Sequence, residues 1–292
     1  MNFSKTKKRN IIYLILVVVL AIAGAAGIFD LSEDAVSPSH GTEQLTVHFL
    51  DVGQGDAILI QFPNDSVMLV DAGPDEDGAA VISYLKQQGV KKIDYLVATH
   101  PHADHIGGMV AVIKEFEINK VYMPKVAHTT RTFEDMLLSI KEKGIKITAA
   151  HAGLDILEQD GLQATFAAPC GSDYDKLNNY SAIVKIQYGS TSFLLTGDAE
   201  DISEKEMLDN SLDLRADVLK VGHHGSSSST TPAFLKSVFP EYAVIPVGAE
   251  NKYGHPHQET LEHLADAGVI VYRTDQEGSI VFASDGKEVK KI

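Results

Sequence analysis

The chain has 292 residues, 44% of them apolar, enough to bury a sizeable core in one large α/β domain or two small ones. A formal net charge of −15 counts against broad, non-specific affinity for nucleic acid, though it does not exclude a polyanionic substrate. The one cysteine, Cys170, excludes an intrachain disulfide, so the core must carry stability without one.

In chain order the first predicted element is apolar. Lys5, Lys7, Lys8 and Arg9 precede an uncharged run over 11–29. As a helix, at about 1.5 Å per residue, it would span about 28 Å, close to the thickness of a hydrocarbon core. A signal-peptide core is usually shorter, roughly 7–15 residues, so an uncleaved transmembrane anchor is expected. Ala23-Gly24-Ala25-Ala26 has the small residues of a cleavage site and keeps a cleaved signal peptide, hence a secreted protein, as the alternative. Both readings leave the basic flank, 1–10, in the cytoplasm and the body outside. Residues 30–44, with their Ser, Asp, Glu, Pro and Gly, read as a linker.

The body runs over 45–292. Strands are predicted at 45–50, 57–62, 67–70 and 95–98, with helices at 79–88, 109–116 and 133–143. The second half predicts strands at 165–168, 182–188, 192–195, 218–221 and 242–246 and helices at 203–208, 232–238 and 258–267; strands at 269–272 and 279–282 close it. This order fits an α/β fold of two mixed sheets with helices outside.

The sharpest local signal follows the strand at 95–98. Thr99-His100-Pro101-His102-Ala103-Asp104-His105-Ile106-Gly107-Gly108 places four metal-ligand side chains within six residues. In an extended turn His100 and His102 project to one side, and Asp104 and His105 follow on the tightening turn before a helix. Gly107 and Gly108 let that helix start close by. Imidazole and carboxylate donors suit zinc, manganese or iron.

This His-x-His-x-Asp-His stretch followed by Gly-Gly resembles the signature of the metallo-β-lactamase superfamily. Asp71 in Leu69-Val70-Asp71-Ala72-Gly73, Asp198 in Thr196-Gly197-Asp198 and His224 in Gly222-His223-His224-Gly225 resemble that family's other stations, in its order. The resemblance implies a four-layer αββα sandwich. It implies one or two divalent metal ions, manganese or zinc: His100 and His102 on metal one, Asp104, His105 and His224 on metal two, and Asp198 bridging. Asp104 would also orient the attacking hydroxide, and Asp71 would steady a ligand from behind. Where many members supply a third histidine to metal one, this chain has Asn178, Asn179 and Ser181, an oxygen-rich substitute that favours manganese.

A narrower resemblance adds substrate class. Asp51-Val52-Gly53-Gln54-Gly55-Asp56-Ala57, Asn178-Asn179-Tyr180-Ser181, His223-His224-Gly225-Ser226 and Tyr253-Gly254-His255-Pro256-His257 are similar to motifs in the soluble C-terminal domain of the ComEC/Rec2 competence family. That family forms membrane DNA-uptake channels, whereas this chain has one apolar run long enough to span a membrane. The resemblance implies an extracytoplasmic hydrolase of phosphodiesters, with DNA among the substrates. Asp104, His223 and His257 would be catalytic, with Asp71, Asn179, Ser181, Ser226 and His255 beside the ligands or the substrate. His224 is preferred to His223 as ligand because it directly precedes the glycine. Asp51 and Asp56, around a Gly-x-Gly turn, are expected to shape the floor of the site. Three alternatives stand beside this reading: a β-lactamase or lactone hydrolase, a cell-wall phosphoesterase, and a non-catalytic partner of a DNA-uptake or envelope assembly.

Overall fold

The structure, a computed structural model, describes residues 29–30 and 44–292. Among these, one mixed sheet has the strand order β1-β7-β6-β5-β4-β3-β2-β15-β16 and a second the order β14-β13-β12-β11-β10-β9-β8. The first sheet comprises β1 (Phe29–Asp30), β2 (Leu45–Phe49), β3 (Ile58–Gln61), β4 (Val67–Val70), β5 (Lys92–Val97), β6 (Glu117–Pro124), β7 (Ile147–Ala150), β15 (Ile280–Ser284) and β16 (Val289–Lys291). The second comprises β8 (Asp155–Gln159), β9 (Leu162–Phe166), β10 (Val184–Tyr188), β11 (Thr191–Leu195), β12 (Val218–Lys220), β13 (Tyr242–Ile245) and β14 (Ile270–Arg273). β4 to β7 run parallel, as do β11 to β14; β1 pairs parallel with β7, and the remaining pairs, the distant β2–β15 among them, are antiparallel.

The two sheets lie face to face because strand side chains alternate. Ile58 and Ile60 join the core between the sheets, with Phe49, Met68, Phe166, Phe193, Leu195 and Phe282, while Leu59 points to the opposite face. There it meets α1 (Gly78–Gln87), α3 (Met109–Glu115) and α4 (Arg131–Glu142) through Val81, Leu85, Met109, Val112 and Met136. On the far side Leu194, Leu219 and Ile245 meet α5 (Asp201–Asp209), α6 (Pro232–Val238) and α7 (Gln258–Asp266) through Met207, Phe234, Leu235 and Leu264. The result is the expected four-layer αββα sandwich. Strands covered on both faces carry unbroken apolar runs, which is why they were readable.

Helix starts follow capping chemistry. The Thr130 hydroxyl accepts from Phe133 N ahead of α4, and Thr231 accepts from Phe234 N ahead of α6, which begins at Pro232. Five strands, β1, β6, β7, β8 and β16, go beyond the expected set. β6 begins with exposed Glu117 and carries polar Asn119 and Lys120, and β8 begins and ends polar, so neither reads as an apolar run. No helix among the described residues is long and apolar enough to cross a membrane. The run expected as an anchor, over 11–29, lies outside the described residues but for its last position.

The carboxyl ends of the parallel strands of both sheets converge on one edge of the sandwich. Asp71 follows β4, His100 follows β5, Asp198 follows β11, and His223 and His224 follow β12. Loops beyond the carboxyl ends of parallel strands are where open α/β sheets place ligands.

Candidate metal centre

Beyond β5 the chain passes through Thr99, His100, Pro101 and His102 into α2 (Ala103–Ile106), a single turn carrying Asp104 and His105. Gly107 and Gly108 let this turn lie against neighbouring backbone. A Cβ at Gly108 would come within 2.2 Å of the Ala72 carbonyl oxygen, and one at Gly107 within 2.3 Å of Asp75 N. Ala72 N donates to the His105 carbonyl at 2.8 Å, so the histidine turn is fastened to the end of β4.

Asp104, His105, Asp198 and His224 form one cluster of donors, here called site two. His105 Nε2 lies 3.2 Å from Asp198 Oδ1 and 4.0 Å from Asp104 Oδ2. His224 Nε2 lies 3.5 Å from Asp198 Oδ1 and 3.6 Å from Asp104 Oδ2. Two ligands each about 2.1 Å from a shared tetrahedral cation stand about 3.4 Å apart, so this spacing fits a metal. Three atoms facing the common point, His105 Nε2, His224 Nε2 and Asp198 Oδ1, are buried and make no hydrogen bond. Buried polar atoms without partners are costly unless a ligand or ion satisfies them.

His100, His102 and Asp198 form a second cluster, site one. His100 Nε2 is 3.0 Å from His102 Nδ1 and 3.8 Å from Asp198 Oδ2. The two oxygens of Asp198 therefore face different donor sets, as a bridging carboxylate requires. Burial acts to raise the Asp198 carboxyl, but His105 and His224 beside it prevail and hold it well below the usual range. The Asp104 carboxyl is likewise held low, against its burial, by His224 and His105. Burial and neighbouring His105 push His100 well below the usual imidazole range, leaving it a neutral donor.

The donors of site two are oriented from behind. His105 Nδ1 donates to Asp71 Oδ2 at 2.7 Å, and Asp71 also accepts from Thr99 N at 2.8 Å and Thr99 Oγ1 at 2.6 Å. His224 Nδ1 donates to the Pro246 carbonyl at 2.9 Å. Such contacts fix the tautomer that aims Nε2 at a metal. Below the donors lies Lys220, fully buried, its ammonium 2.6 Å from Asp56 Oδ2, 3.7 Å from Asp198 Oδ1 and donating to the Gly197 carbonyl at 2.6 Å. A lysine in the apolar stretch Val218-Leu219-Lys220-Val221 is the sequence signal for this floor, and the sequence reading had passed over it.

His223 and His224 occupy a tight turn rather than a strand end, with φ values of 49° and 53°. Two consecutive left-handed non-glycine residues carry strain of about 1–3 kcal/mol each, of the kind that gathers at functional sites. The turn sends the imidazoles apart. His224 faces site two, and His223 faces the cavity with Nε2 3.7 Å from Asp198 Oδ2 and Nδ1 3.6 Å from Glu200 Oε1.

A cavity of about 500 Å³ opens over both sites, lined by Gln54, Asp104, His128, Asn178, His223, Tyr253 and His255 among others. Several expected neighbours are placed differently. Asn179 turns away from the cavity, its amide oxygen accepting from Glu200 N and Ser203 N, so it anchors the start of α5 and Asn178 takes the cavity wall. Ser181 also serves backbone, accepting from Asp198 N at 3.1 Å. Ser226 bonds Ser228 within its own turn. His257 accepts from Ser227 N through Nδ1, and its Nε2 lies 3.3 Å from the Tyr253 carbonyl, so both nitrogens are engaged away from the reacting end. His255 instead borders the cavity with Nδ1 making no hydrogen bond. Of the two expected floor carboxylates, Asp56 lies beneath the ligands and Asp51 is exposed, bonded to Gly53 N.

Comparison with known proteins follows the same lines. Residues 50–249 match the family model described as "Metallo-beta-lactamase superfamily". The chain is 34% identical over 253 residues to ComE operon protein 3 of Bacillus subtilis (strain 168), covering 81% of this chain and 32% of that protein. It is 28% identical over 233 residues to Competence protein ComA of Neisseria gonorrhoeae, covering 80% of this chain and 31% of that one. It thus spans about a third of the length of these curated relatives. Among solved structures, CmlA, a diiron beta-hydroxylase from Streptomyces venezuelae, shares the fold at a TM-score of 0.56 and 13% identity, covering 88% of this chain and 55% of that one.

Proposed function

Because the chain belongs to the metallo-β-lactamase superfamily, we propose that it is a metal-dependent hydrolase of phosphodiesters, with DNA among its substrates. The observation that carries this is Asp198, a buried carboxylate whose two oxygens face two different donor sets beneath one open cavity. The likeness to a relative named Competence protein ComA supports DNA as the substrate class.

His100, His102 and Asp198 would hold one divalent ion, manganese or zinc, and Asp104, His105, Asp198 and His224 the other. Such ions supply Lewis-acid polarisation of a phosphoryl oxygen and a water acidic enough to attack at neutral pH. The chain's own groups do the rest. Asp104, held ionised and partly exposed, accepts a hydrogen bond from the attacking water and aligns it. His223, braced between Asp198 and Glu200, offers Nε2 to an oxygen of the phosphodiester.

Hydrolysis of bis-p-nitrophenyl phosphate by metal-loaded protein, with a chromogenic β-lactam untouched, is the expected result. Cleavage of the lactam alone defeats the proposal. For the whole chain, we propose the arrangement expected from sequence: residues 1–10 cytoplasmic, 11–29 an anchor, 30–44 a linker and 45–292 the hydrolase outside. A protease added to intact cells should then degrade the body.

A further inference from the structure

The cavity has a second chemical character that the metal reading leaves unused. On one wall the segment from Asn251 to His255 forms a small loop closed by one side chain. Asn251 Nδ2 donates to the Gly248 and His255 carbonyls at 2.8 and 2.7 Å, and its Oδ1 accepts from Tyr253 N and His255 N at 3.2 and 2.9 Å. The asparagine thus acts as a staple, holding the backbone on both sides of Tyr253. Gly254, at φ 74°, makes the reversal that the staple requires.

What the staple presents is an aromatic face. Tyr253 is 53% exposed, and its ring stacks on His255 with centroids 5.6 Å apart and planes 26° apart. His255 then meets His223 at 5.4 Å, and His223 meets His224 at 6.2 Å. The rings form a continuous file from solvent to a donor of site two. Burial and the imidazoles of His223, His224 and His257 lower His255 to about 4, so it stacks as an uncharged ring. Lys252 carries its ammonium over the Tyr253 ring, 5.3 Å from the centroid, a cation on a long flexible stem that an incoming base can displace toward its phosphate, in a chain that is strongly acidic overall.

We propose that Tyr253, backed by His255, is a stacking platform for a nucleobase, and that the preferred substrate is a single-stranded nucleic acid whose base next to the cleaved phosphate lies on this ring. The proposal rests on the phosphodiester reading above. A flat exposed aromatic held rigid beside a cation is how proteins grip single strands without reading sequence. A polyol phosphate of the cell wall has no planar face for it. Double-stranded DNA keeps its bases stacked inside the duplex, so the platform disfavours it.

The test uses the metal-loaded full chain and two fluorescein-labelled oligomers of equal length, one of thymidylate and one with abasic residues throughout. Binding is read by anisotropy in calcium, and cleavage by gel in manganese. The wild type should bind the thymidylate oligomer about tenfold more tightly than the abasic one. Tyr253→Ala should erase that difference by weakening thymidylate binding alone, while Tyr253→Phe should keep it. Equal affinity for the two oligomers in the wild type overturns the platform, whatever the cleavage result. An undiminished preference in a folded Tyr253→Ala protein overturns it as well. Cleavage of neither oligomer overturns the phosphodiester reading instead and leaves the platform to the binding arm.

Discussion

The two ends of the centre share Asp198 but are built on different terms. At site two His105 leans on Asp71 and His224 on the Pro246 carbonyl, and Lys220 with Asp56 provides a charged floor. At site one His102 is half-buried, its Nδ1 meets, among the described residues, only the nitrogen of His100 at hydrogen-bonding distance, and Asn179 and Ser181, expected from the family resemblance where a third imidazole is common, accept from backbone instead. On the proposed reading the difference implies ordered occupancy: site two would act as a preformed socket, and site one would be completed by the metal and its waters.

The largest effect should come from the residue the two ends share. Asp198→Ala should reduce phosphodiester turnover by about 10³-fold or more and release both metals. His102→Ala should empty site one alone, leaving one bound metal per chain. Metal analysis beside the activity assay checks both, and two metals in a folded Asp198→Ala protein would erase the distinction between the ends.

A smaller effect tests the floor. Lys220→Met strands Asp56 as a buried carboxylate, so the metal-free protein should lose about 3–5 kcal/mol. A divalent cation then supplies the missing positive charge, so added metal should raise the melting temperature more in this variant than in the wild type. An equal shift in both proteins would show that the lysine plays no electrostatic part in site two.

The smallest effect concerns metal identity. With two imidazoles and a carboxylate, site one must fill its shell with water oxygen, which suits manganese better than zinc. Manganese should restore several-fold more turnover than zinc to metal-stripped protein, although zinc binds more tightly to most such sites. Higher turnover with zinc at every occupancy would place the two ends on equal terms.

Much of this centre was legible in the residues because its donors are local. Four of the six stand in one turn, and the glycines that let the turn lie against β4 stand beside them. Strands buried on both faces were legible as apolar runs, and α6 was announced by Thr231-Pro232. What was hidden depends on direction, which spacing does not carry. Nothing in Asn178-Asn179 says that the first faces the cavity and the second caps backbone. Nothing in His255-Pro256-His257 says that the first borders the cavity while the second bonds Ser227. Lys220 was hidden for another reason: a lysine normally reads as surface, and only the acidic partners brought from a distant loop make its burial possible.

The donors are also divided in time. His100, His102, Asp104 and His105 come from the first sheet, whereas Asp198 and His224 follow strands of the second. A chain whose second half is not yet made holds three of the histidines and Asp104 but neither Asp198 nor His224, so each proposed site would be incomplete. On the proposed ligand set, loading would wait until the second sheet has closed on the first, and the ion would then act as a clasp between the halves. A protein assembled in this order would take its metal from the compartment where folding ends, not the one where synthesis began.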